Sequence, residues 1–82
     1  MTTDQKRAIL AILETLYEER EGGTESAIYL ALGCDLEMWY ALKYALVQTD
    51  YIQEASHWVT ITPKGIAAIE KIHAKQKAQV PA

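Results

Sequence analysis

Between Thr49 and Pro63 the apolar period of the chain changes, and that switch constrains the fold more than any other feature. Before it, apolar residues recur every three to four positions. Within it, Tyr51-Ile52-Gln53-Glu54 and Trp58-Val59-Thr60-Ile61 are short β-prone runs joined by Ala55-Ser56-His57. Two such runs this close together predict a hairpin, with Ile52, Val59 and Ile61 facing the core. Thr62-Pro63 then restarts helix, because threonine caps and proline has no N–H to waste in the first turn.

Upstream, three helices are expected. The first covers residues 3–21, with Ile9, Ile12, Leu13 and Leu16 on one face and Glu14, Glu18 and Glu19 elsewhere on the wheel. Thr2 and Gln5 have capping-box spacing. Gly22-Gly23 ends this helix. Thr24 caps a second over 25–32, whose apolar positions are Ala27, Ile28, Ala31 and Leu32. Gly33 stops it, and Asp35 caps a third over 36–49 with Trp39, Leu42, Leu46 and Val47 inward. The three-residue connection Gly33-Cys34-Asp35 forces the second and third helices into a tight pair. A fourth helix over 63–75 turns Ile66, Ile69 and Ile72 inward, and residues 76–82 read as a flexible tail.

Composition fits one small globular domain over residues 1–75. The chain has 82 residues, half of them apolar and 23% charged. A core this thin argues against an enclosed active site. The one cysteine, Cys34, cannot form an internal disulfide. The absence of a long apolar run or a basic-then-apolar start points to the cytoplasm, with no membrane partner. Charge is uneven. Residues 1–54 carry four basic groups against ten acidic ones, a net of −6; residues 55–82 carry four against one, a net of +3. A polyanion is drawn to the last third and repelled by much of the rest.

The order helix, helix, helix, hairpin, helix resembles the winged helix-turn-helix family. The likeness rests on Leu32-Gly33 at the turn, the Trp39/Leu42/Leu46 stripe, Tyr51-Ile52 entering the hairpin, and Val59-Thr60-Ile61-Thr62-Pro63-Lys64-Gly65. That last segment is similar to the Leu-Thr-x-x-Gly passage from wing to final helix in many bacterial regulators. The resemblance implies a mainly α fold with a three-helix core, a two-stranded wing and a C-terminal helix. It implies binding of double-stranded DNA, as a transcriptional regulator or accessory factor, with the third helix in the major groove and the wing on neighbouring backbone. Carried onto this sequence, the contacts would be Met38, Tyr40, Ala41, Lys43, Tyr44 and Gln48 on the helix, Ser56 and His57 at the wing tip, and Lys64. It also implies dimerisation through the first and fourth helices.

The sequence departs from the family in charge. The third helix offers one lysine, flanked by Asp35, Glu37 and Asp50, and the wing tip has no lysine or arginine. Asp50 stands where family members often carry glycine, a turn that aspartate tolerates. These departures support an alternative, a module that binds protein through Glu37, Tyr40, Tyr44 and Trp58. Tyr40 and Tyr44 share a helical face and serve equally as interface or as packing against the hairpin. Lys64, Lys71, Lys75 and Lys77 could follow phosphates or simply form a solvated helix end.

Other chemistry has little support. Cys34, His57 and His73 lack paired metal-ligand spacing, so neither metal nor cofactor is expected. No phosphate-binding loop is present. The carboxylates read as exposed, where nothing would raise their pKa for acid–base work, so no catalytic residue is assigned and an enzyme is not expected.

Overall fold

The computed structural model describes residues 3–33 and 35–79. Thr2 of the expected capping box, Cys34 and the last three tail residues lie outside that range. Four helices and three strands follow in the order α1 (Thr3–Glu18), β1 (Gly23–Thr24), α2 (Glu25–Leu32), α3 (Leu36–Gln48), β2 (Ile52–Ala55), β3 (Trp58–Ile61) and α4 (Pro63–Gln79).

The helix boundaries follow local chemistry. Thr24 Oγ1 accepts from the Ala27 N–H at 3.2 Å, and Asp35 Oδ1 from the Met38 N–H at 2.7 Å. Each satisfies an N–H that would otherwise lack a partner in the first turn. Gly33 ends α2 at φ 68°. The end of α3 closes with paired bonds, Asp50 N–H to Val47 O and Tyr51 N–H to Leu46 O, both 3.0 Å. That pairing requires a left-handed residue at Asp50, whose φ is 64°. At the other end of the hairpin, buried Thr62 accepts from the Gly65 N–H at 3.1 Å and donates to the Asp50 carbonyl. The one side chain caps α4 and ties it to the exit of α3.

The sheet has three antiparallel strands, not two, in the order β1-β3-β2. β1 pairs Gly23 with Val59 and Thr24 with Trp58. A two-residue strand containing glycine has no alternation to reveal it. It also explains why α1 stops at Glu18 rather than residue 21: the next residues turn, with Gly22 N–H bonded to Glu19 O at 2.8 Å, and deliver the chain to β3. Gly22 has φ +93°, and a Cβ there would collide with the Val59 carbonyl. α4 runs on to Gln79 instead of stopping at 75, through a run rich in alanine, lysine and glutamine.

The core draws from every element except β1. Ile12, Leu13 and Leu16 of α1 meet Ile28 of α2, Trp39, Leu42 and Leu46 of α3, Ile52, Val59 and Ile61 of the sheet, and Ile69 of α4. Trp39 is fully buried. Ile66 and Ile72 are half-buried. Val47, expected inward, is instead 40% exposed, and Ala27 and Ala31 face solvent. Both helices are amphipathic over a narrower arc than their composition suggests.

Candidate nucleic-acid interface

The third helix turns one face inward through Trp39, Leu42 and Leu46 and leaves the opposite face open. Leu36, Tyr40, Tyr44 and Val47 lie within about 80° of one another on a helical wheel. All four are exposed, Tyr40 by 54% and Tyr44 by 68%. Glu37, Ala41 and Gln48 are exposed too. Met38 is not an outward residue as expected; it is half-buried against the core. Leu30 of α2, which the sequence pattern does not single out, is 71% exposed. It lies in an apolar stretch whose length cannot say which side faces water.

Beside this helix stands the wing. The Ala55↔Trp58 pair closes β2 and β3 around a two-residue turn, Ser56-His57. Both turn residues have positive φ, 52° and 67°. Positive φ at both central residues is the geometry whose twist matches a hairpin, and Asn-Gly fills it most readily. Serine and histidine adopt it under strain. Trp58, named for the protein-binding alternative, is half exposed, and its indole N–H donates to the Glu21 carbonyl at 2.9 Å.

The strained turn is held by a polar cluster not visible in the sequence. Glu25, the first residue of α2, is buried, correcting the expectation that every carboxylate lies in solvent. Its Oε1 accepts from Lys43 Nζ at 2.8 Å and from the Trp39 indole N–H at 3.0 Å. Its Oε2 lies 2.7 Å from His57 Nδ1. Lys43 Nζ also lies 3.4 Å from Glu54 Oε1 and 5.1 Å from the centre of the Tyr40 ring. The Lys43 hydrogen bond, then that of His57, then the indole hold the Glu25 carboxyl down at about 2 against an opposing push from burial. The Glu25 hydrogen bond pushes the Lys43 ammonium up in turn. Glu25 thereby ties the wing turn to α2 and α3.

The same cluster sets the surroundings of Lys43, which the resemblance places among the contacts of the third helix. The Lys43 side chain is only 18% exposed and is neutralised by two carboxylates. Glu25, Glu54 and His57 bring ligand atoms within 4.8 Å of one another, the spacing of a metal-binding set. The Lys43 ammonium already pairs with both carboxylates of that set. An open groove of about 270 Å³ lies alongside, rimmed by Tyr29, Leu36, Tyr40 and His57 over Glu25 and Trp39. No local motif could have found the cluster, because its members are separated by up to 32 residues and meet only when α2, α3 and the wing pack.

Lys64, the remaining candidate, is exposed in the first turn of α4, its ammonium 5.4 Å from the Tyr51 ring centre. Tyr51 follows α3 closely, so Lys64 lies beside the end of α3. Among the described residues, no helix is long and apolar enough to cross a membrane.

No protein-family model matches the chain, and no curated protein does. Among solved structures it is similar to MepR, a transcription regulator of the Staphylococcus aureus multidrug efflux pump MepA, with a TM-score of 0.69 and 20% identity. The likeness covers 99% of this chain and 66% of that one, so the chain spans just under two thirds of its neighbour's length. At that identity the likeness is one of fold. Taken with the paired helices α2 and α3, the open outer face of α3 and the adjacent strained hairpin, it gives the chain a winged helix-turn-helix fold.

Proposed function

We propose that the protein is a small DNA-binding regulator that docks α3 on duplex DNA, with the wing turn alongside. The supporting observation is the outward face of α3 in a fold shared along nearly the whole chain with a transcription regulator. In this reading Tyr40, Ala41, Tyr44 and Gln48, all exposed, meet base edges. Ser56 and His57 reach toward neighbouring backbone. Lys43 acts as a positioning residue, holding α3 against Glu25. One domain of this size covers little duplex, so a homodimer through α1 and α4 belongs to the proposal. The dimer would use the flank where Tyr17 hydrogen-bonds Glu70 at 3.1 Å and His73 meets Glu14 at 3.3 Å.

One observation favours a second reading. The exposed face of α3 is apolar and acidic, and its lysine is internally neutralised. A protein partner would suit that face through Glu37, Tyr40, Tyr44 and the wing's Trp58. Fluorescence titration of random-sequence duplex at low and moderate salt separates the two. The DNA reading predicts measurable affinity that falls steeply with salt. No binding even at low salt would discard it and leave the protein-partner reading.

A further inference from the structure

We propose that the cations meeting DNA phosphate come mainly from α4, through Lys64, Lys71 and Lys75, and not from the reading helix. The inference rests on the DNA reading above and says where its electrostatic contact lies.

These residues are seven and four positions apart. At about 100° per residue they fall within about 40° of one another, in a line about 16 Å long. All three are exposed. None has a carboxylate within ion-pair distance among the described residues. Glu70, the sole acidic residue of α4, is bonded to the Tyr17 hydroxyl of α1 instead. The stripe therefore presents uncompensated positive charge in a protein whose net charge is −3.

Helix stability does not explain Lys64. It sits in the first turn of α4, which holds no acidic residue, where the helix dipole disfavours a cation. Lys71 and Lys75, farther along, lack that conflict. Position supplies the link to DNA. Lys64 stands against Tyr51 at the exit of α3, so the stripe begins where the reading helix ends. A duplex carries one charge per about 1.7 Å of axis, so a line of this length can face several phosphates. Lys43, by contrast, has its charge consumed by Glu25 and Glu54.

The test is the salt dependence of binding to a 20-base-pair random duplex. Each neutralised phosphate contributes about 0.9 to the slope of log affinity against log salt. Replacing all three lysines by glutamine is expected to lower that slope by about 2–3 and to weaken binding more than tenfold at low salt. Replacement by arginine is expected to keep the wild-type slope. Replacing Lys6 and Arg7 of α1 by glutamine is expected to change little. Circular dichroism checks that each variant folds. A triple glutamine variant with wild-type slope and affinity would overturn the inference while the DNA reading stood. A wild-type protein that binds no duplex at low salt would overturn both. Binding to vesicles of phosphatidylserine and phosphatidylcholine with none to duplex would also overturn both, and would reassign the stripe to an anionic membrane surface.

Discussion

α3 and α4 carry lysines of opposite availability. The lysine of α3 is folded back onto Glu25 and Glu54, while the described lysines of α4 have no carboxylate partner. Counting residues would make the lysine of α3 as available to a polyanion as those of α4. The geometry makes that lysine a structural strut. Charge on a helix is a functional resource only where nothing within the same chain has already neutralised it.

The widest contrast is expected in stability. Glu25→Ala leaves the Lys43 ammonium half-enclosed with only Glu54 nearby, and is expected to destabilise by about 2–3 kcal/mol in urea unfolding. Lys71→Ala and Lys75→Ala are expected to stay within about 0.5 kcal/mol. Equal effects at the two places would erase the distinction between strut and free charge.

The wing turn sharpens the comparison on a smaller scale. Ser56 carries a positive φ of 52° and, unlike His57, no bond to Glu25. Ser56→Gly removes the strain without touching the cluster, and is expected to stabilise by about 0.5–1 kcal/mol. Thermal unfolding would show it as a rise of a few degrees. A loss of stability would mean that the serine side chain holds the turn in a way its geometry does not suggest.

The sequence made the path of the chain legible and concealed the polar cluster, for a physical reason. Caps, turns and helix faces are local. Thr24, Asp35 and Thr62-Pro63 declare themselves through neighbours three residues away, and each caps as expected. Asp50 reads as a turn residue and adopts the left-handed conformation its place requires. β1 stayed hidden because its two residues are strand only by pairing with β3. Met38 and Val47 lie at the margin of a helical stripe, where tertiary packing and not period decides which way a residue faces. Glu25 reads as one more acidic residue on a helix until Lys43, Trp39 and His57 converge on it. The exposed face of α3 was thus legible in large part, but the pairing of its lysine was not.

That charge arrangement has a pH signature. The Glu25 carboxyl lies near 2 in the folded protein against an ordinary 4.5. A carboxyl lowered on folding contributes stability above its unfolded pKa and loses it as pH falls through the folded one. The contribution, on the order of 3 kcal/mol, is therefore complete above about pH 5 and fades between pH 4.5 and 2. Carbon-detected NMR titration of the Glu25 carboxyl reads the arrangement directly. A midpoint near 2, with the Lys43 side chain responding in step, is the expected result. A midpoint near 4.5 would mean that Lys43 is free on α3, contradicting the difference in availability between the lysines of α3 and α4.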